Sequence, residues 1–150
     1  MKTAVVYSSR HHGNTRKVLD AIAARYPLTL IDAENGSQAD LSGYDLIGFA
    51  SGIYYSKFHT SVLEFARSRL PDGKNIFFLY TCGAGKGDYT GSIREAAESH
   101  APKILGTFHC PGYDTFGPFK LVGGIAKGRP SQADLDNAVR FYEELLRQIS

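Results

Sequence analysis

The sequence predicts an α/β three-layer sandwich, a parallel sheet covered by helices on both faces. Two observations lead there. Short unbroken apolar runs alternate along the chain with stretches whose apolar residues recur at helical spacing. The runs themselves lack the apolar–polar alternation of a half-exposed sheet, as strands buried on both faces do. A length of 150 residues fits one domain, residues 1–150. The 43% apolar and 21% charged content is ordinary for a globular chain.

Taken in order, Thr3 to Tyr7 is a short β-rich run that ends in a polar, glycine-bearing loop. Thr15 to Arg25 carries Val18, Leu19, Ile22 and Ala23 at helical spacing. Leu28 to Ile31 is a second strand, and Leu46 to Ala50 a third, entered from a Ser-Gly-Tyr-Asp turn. Val62 to Leu70 is helical and is stopped by Pro71-Asp72-Gly73. Asn75 to Tyr80 is a fourth, strongly apolar strand. Tyr89 to His100 reads as a weakly apolar helix, and Ile104 to His109 as a fifth strand. Ser131 to Ile149 is a final helix, with Ser131 as N-cap and Asp134 three places on, an imperfect capping box.

Charge and cysteine content narrow the function. A formal net charge of +2, from 17 basic and 15 acidic side chains with no basic run, argues against nucleic acid or a membrane surface as partner. No segment approaches the roughly 20 apolar residues of a membrane span, and Ala4 to Tyr7 is too short for a secretory signal. Cys82 and Cys110 are too few for a disulfide framework and read as reduced, partly buried thiols. The expectation is a soluble protein of a reducing cytoplasm.

In an open parallel sheet a ligand sits beyond the carboxyl ends of the strands, and those ends are where this sequence is unusual. After strand one comes Ser8-Ser9-Arg10-His11-His12-Gly13-Asn14-Thr15, leading into a helix. Three hydroxyls, an amide and backbone N–H groups meet at a helix N-terminus, whose partial positive charge suits a phosphate dianion. The plain alternative is a βα turn with Asn14 or Thr15 as helix cap. There is no Gly-x-Gly-x-x-Gly for a dinucleotide and no Gly-Lys-Ser/Thr ending for a P-loop. The acidic metal ligands of a receiver domain are replaced by Ser8, Ser9 and Ser51, and no metal site is expected.

After strand three comes Ser51-Gly52-Ile53-Tyr54-Tyr55-Ser56-Lys57-Phe58-His59, whose aromatics can stack on a flat ring or pack against the next helix. After strand four, Thr81-Cys82-Gly83-Ala84-Gly85-Lys86-Gly87-Asp88-Tyr89 has glycines that let backbone approach a ligand, and Tyr89 can cover a ring face.

Val5-Val6-Tyr7-Ser8-Ser9 followed by Gly13-Asn14-Thr15 resembles the flavodoxin phosphate-loop signature, with an Arg10-His11-His12 stretch about one residue longer and more basic than usual. The resemblance covers most of residues 1–110. It implies the flavodoxin-like strand order 2-1-3-4-5 and FMN as cofactor. The implied FMN contacts are Ser8, Ser9, Arg10, His11, His12, Gly13, Asn14, Thr15, Ser51, Gly52, Ile53, Tyr54, Tyr55, Thr81, Cys82, Gly83, Ala84 and Tyr89. At Gly52-Ile53 it implies a peptide able to turn its carbonyl toward the flavin N5. The Phe58-His59 pair also looks like the loop of flavodoxin-like protoporphyrinogen dehydrogenases, without their additional long loop.

The implied activity is electron transfer with a redox protein or a small-molecule donor or acceptor, the cofactor carrying the electrons. Two alternatives stay open: an FMN-dependent oxidoreductase acting on a quinone, porphyrinogen or nicotinamide, and a flavin-binding module without turnover. Carrier flavodoxins are typically strongly acidic, which steers them to basic partners, and this chain is slightly basic. The aromatic, glycine-rich stretch Pro111 to Pro130 is long for a loop without structure. It reads as packing over the last helix, a lid over the flavin, or a docking surface.

Overall fold

The computed structural model describes residues 1–10, 13–36, 38–83, 87–112 and 128–149. Its elements are β1 (Thr3–Ser8), α1 (Asn14–Ala23), β2 (Thr29–Asp32), β3 (Leu46–Tyr54), β4 (Lys57–Phe58), α2 (Thr60–Arg69), β5 (Asn75–Cys82), α3 (Gly91–Ala97), β6 (Lys103–Pro111) and α4 (Gln132–Ile149). A 3-10 turn, Glu98–His100, follows α3.

The long strands are parallel in the order β2-β1-β3-β5-β6. This is the expected 2-1-3-4-5 once the two-residue β4, antiparallel to β3, is set aside. Alternate residues of each strand fill two cores. Val6, Phe49, Phe78 and Tyr80 face α2 and α3, packed with Val62, Phe65 and Ile93. Val5, Ala50, Phe77 and Leu79 face α1 and α4, packed with Val18, Leu19, Ala138 and Tyr142. Both faces of the sheet are therefore dry, which is why its strands carry apolar residues without alternation.

The elements depart from the sequence expectation in three places. Strand β3 does not stop at Ala50 but runs to Tyr54 and folds back on itself as β4. The helix expected over Tyr89 to His100 begins at Gly91 and gives way to the 3-10 turn after Ala97. In β6 the register slips, so that Ile76 pairs with Ile104 but Phe77 with Gly106, leaving Leu105 as an extra residue. Such a bulge inserts one residue opposite none on the neighbour.

The capping box at α4 forms as expected. The Ser131 amide donates to Asp134 Oδ2 at 2.7 Å, and the Asp134 amide to Ser131 Oγ at 3.3 Å. Arg129 adds two more donors to the same carboxylate, Nε at 2.6 Å and Nη2 at 2.8 Å.

Candidate functional site

Register alone assembles the carboxyl edge of the sheet. Ser8 of β1 pairs with Ser51 of β3, Gly52 with Thr81 of β5, and Thr81 with Cys110 of β6. Four strands thus end level with one another, and the N-terminus of α1 rises beside them.

The start of α1 is built without a capping side chain of its own. The cap residue is Gly13, held in the left-handed region at φ 66°, where glycine meets no steric penalty. Asn14 and Thr15, the caps of the plain βα-turn alternative, are instead the first two helical residues, both buried. The first turn has no acidic side chain. Ser9, one turn back in the loop, supplies an acceptor: its Oγ takes the Arg16 amide at 3.0 Å. A helix N-terminus with a glycine cap and no carboxylate of its own keeps its positive end for an external anion. Thr15 Oγ1 lies 2.9 Å from Thr81 Oγ1, fixing the first turn of α1 to the end of β5.

Of the other residues expected around the ligand, Ser51 fastens the corner that leads into α2. It is fully buried, its hydroxyl donates to the Gly52 carbonyl at 2.5 Å and accepts the His59 amide at 2.9 Å. Gly52 and Ile53 are strand residues, and just beyond them the chain makes a sharp reversal. It is the two-residue turn Tyr55-Ser56, at φ 50° and 68°. Positive φ at both central positions is the type I′ turn, whose twist matches that of the paired strands. β-Branched Ile53 and aromatic Tyr54 extend the strand up to it, as their propensity favours.

The aromatics divide. Phe58 is core, edge-on to Phe78 and Tyr80. Tyr54 meets the His59 ring edge-on at 5.4 Å, and Tyr89 meets Tyr80 at 5.9 Å. Tyr55 is 80% exposed; among the described residues only it and Met1 are large apolar side chains left open to solvent. Cys82 and Gly83 are half-buried at the end of β5. Cys82 packs toward the α2–α3 face and Cys110 toward the α1–α4 face, and both are free thiols. Burial pushes the Cys110 thiol up to about 12. His11, His12 and Ala84 lie outside the described residues, as does the 113–127 part of the long aromatic segment.

A polar cluster that the sequence did not single out flanks the phosphate-type loop. Arg10 donates from Nε and Nη2 to Glu34 Oε1, at 3.0 and 2.6 Å. His59 caps α2: its Nδ1 accepts the Ser61 amide at 3.1 Å, which leaves the ring proton on Nε2, 3.6 Å from the same Glu34 oxygen. Burial holds the His59 pKa below its ordinary value, outweighing the attraction of Glu34. No sequence motif links Arg10, Glu34 and His59; only the adjacency of three strand ends brings them together.

Among the described residues no cluster of three or more His, Cys, Asp or Glu side chains is placed to hold a metal ion, and no helix is long and apolar enough to cross a membrane.

Comparison with known proteins agrees with this architecture. A flavodoxin-domain family model matches residues 4–111. An uncharacterised protein of Methanocaldococcus jannaschii is 36% identical over 149 residues, covering 98% of this chain and 99% of its own. Among solved structures, a flavodoxin from the domain Archaea superposes with a TM-score of 0.72 at 18% identity, over 99% of both chains. The Fusobacterium nucleatum flavodoxin mutant K13G bound to flavin mononucleotide gives 0.68 at 12% identity, over 99% of this chain and 97% of that one.

Proposed function

The chain belongs to the flavodoxin family, and from that premise we propose that residues 1–150 form one domain that binds FMN at the carboxyl edge of the sheet and acts in electron transfer. The observation that carries the reading is the start of α1. A glycine-capped helix N-terminus without acidic residues stands level with the ends of four strands, and Thr15–Thr81 fixes it there.

The residues fit the group. Ser9, Gly13, Asn14 and Thr15 suit a phosphate dianion, which gains from helix-end donors without needing a charged side chain. Exposed Tyr55, at the tip of the β3–β4 hairpin, offers an aromatic face for a flat ring. The Tyr55-Ser56 turn offers further backbone groups beside the Gly52-Ile53 peptide. The half-buried Cys82 and Gly83 line the neighbouring strand end. Bound FMN supplies one- and two-electron chemistry; the chain binds it, orients it and limits its contact with water.

The test is direct. Purified protein, reconstituted with excess FMN and desalted, should be yellow and release about one FMN per chain on denaturation. Protein that retains no flavin under these conditions overturns the reading.

The net charge of +2 favours a second reading, an FMN-dependent oxidoreductase acting on a quinone, porphyrinogen or nicotinamide. A carrier gains from an acidic surface that steers it to basic partners; an enzyme for small molecules does not need one. Turnover of a quinone with NADH or NADPH as sole reductant would select this second reading.

A further inference from the structure

Where β6 ends, its chain meets the phosphate-type loop. Gly112, the residue after β6, is buried and donates its amide to the Cys82 carbonyl at 3.3 Å. Its α-carbon lies directly against the Asn14 side chain. A Cβ built on Gly112 would stand 2.6 Å from Asn14 Nδ2, 2.8 Å from Cγ and 3.0 Å from Cβ. Nonbonded carbons and nitrogens do not approach so closely, so no residue but glycine fits while Asn14 keeps its rotamer. Asn14 cannot yield by moving only its tip, because the crowding reaches back to its own Cβ.

We propose that Gly112 is a positioning residue for the phosphate grip: it seats Asn14 at the first position of α1 and joins that position to the strand end that carries Cys82. The inference rests on the reading that the start of α1 holds the flavin phosphate. Two contacts then fix the first turn of α1 from the side of the sheet, Thr15 on Thr81 and Asn14 on Gly112. The second continues through the Gly112–Cys82 hydrogen bond into the strand end expected to meet the flavin ring. Gly112 touches no reacting atom in this scheme. It acts through Asn14.

The experiment compares FMN with riboflavin, which has the same ring and no phosphate, by quenching of flavin fluorescence. Gly112→Ala should weaken FMN about tenfold, the scale of one hydrogen bond to a charged group, and shift riboflavin by less than about twofold. A loss shared equally by both flavins, or no loss for FMN, overturns the proposal. A second comparison does not require Gly112→Ala to fold well. In an Asn14→Gly background all three crowded side-chain atoms are gone, so adding Gly112→Ala should leave FMN affinity unchanged, and a further drop there also overturns it. If the unsubstituted protein binds FMN normally while these arms fail, the positioning role alone is lost. If it binds neither flavin, the cofactor reading fails first.

Discussion

The hydroxyl of Thr15, in the first turn of α1, lies 2.9 Å from that of Thr81, at the end of β5, and both residues are buried. Each is the partner that makes the other's burial tolerable. Thr81→Val should therefore cost about 1–3 kcal/mol of stability, because it leaves the Thr15 hydroxyl dry and unpaired. The double variant Thr15→Val/Thr81→Val should cost less than the sum of the two single changes, with urea unfolding as the measurement. Additive losses would show that the pair is not a unit.

Asp134 carries the acid sensitivity of the C-terminal helix. The Arg129 side chain, helped by Ser131, holds its carboxyl down to about 2. A carboxyl depressed on folding stabilises the protein above its unfolded value near 4, and that contribution is lost as pH falls through the folded value. The window is therefore about pH 4 to 2, and the contribution is on the order of 2 kcal/mol. Asp134→Asn should be less stable than the parent at pH 6, and the gap should close by pH 2. A gap of constant size would contradict the assignment.

Two histidines should titrate in opposite directions. Burial keeps His59 below the ordinary value. The Arg67 carbonyl, with Asp72, raises His100 above it. His100 thus stabilises the fold at low pH and loses that contribution as pH rises through its folded value, whereas charging His59 as pH falls below the ordinary histidine value opposes folding. Imidazole proton shifts followed by NMR, assigned with His59→Gln and His100→Gln, should give the lower midpoint to His59. The reverse order would refute both environments.

Cys110, its thiol pushed up to about 12 and its side chain buried against α4, should resist a charged thiol reagent at pH 8. In a Cys82→Ser variant the native protein should take up no label, and the urea-unfolded chain one. Rapid labelling of the native variant would place Cys110 outside the core.

The hairpin turn is strained at both residues. Ser56 sits at φ 68°, where a non-glycine residue loses about 1 kcal/mol or more. Ser56→Gly should raise stability by about that amount in urea, and an unchanged midpoint would mean the turn is relaxed.

The strands and helices were legible because dry-faced strands and amphipathic helices print their period directly on the residues, as Val18, Leu19 and Ile22 do in α1. The loop Ser8 to Thr15 was legible because its polar residues exceed what one helix cap needs. The β3–β4 hairpin was not, since Tyr55-Ser56 lacks the Asn-Gly or Asp-Gly composition that takes positive φ cheaply. Gly13 rather than Asn14 caps α1 for a related reason: composition suggests a cap, but only the backbone angle decides which residue bends. A strand-end hydroxyl such as Ser51 has the same letter whether it faces a cofactor or fastens a corner, so its bond to the His59 amide was not legible. The Arg10–Glu34–His59 cluster and the Asn14–Gly112 contact join residues far apart in the chain, and no local pattern announces such meetings.

The extra residue in β6 sets a parity. Ahead of it Ile104 points to the α2–α3 core; beyond it His109 stacks on Tyr80 of that same face, and Phe108 and Cys110 point to the α1–α4 core. A strand without Leu105 would alternate strictly from Ile104 onward and keep these facings, whereas a flat strand that retained Leu105 would exchange odd and even for the rest of its length. Phe108 and Cys110 would be delivered to the wrong layer, and His109 would be driven beneath α4. One surplus amino acid in an edge strand is thus absorbed where it enters instead of being passed down the strand, and chains of this family that are one residue shorter here should keep the same facings at the strand end.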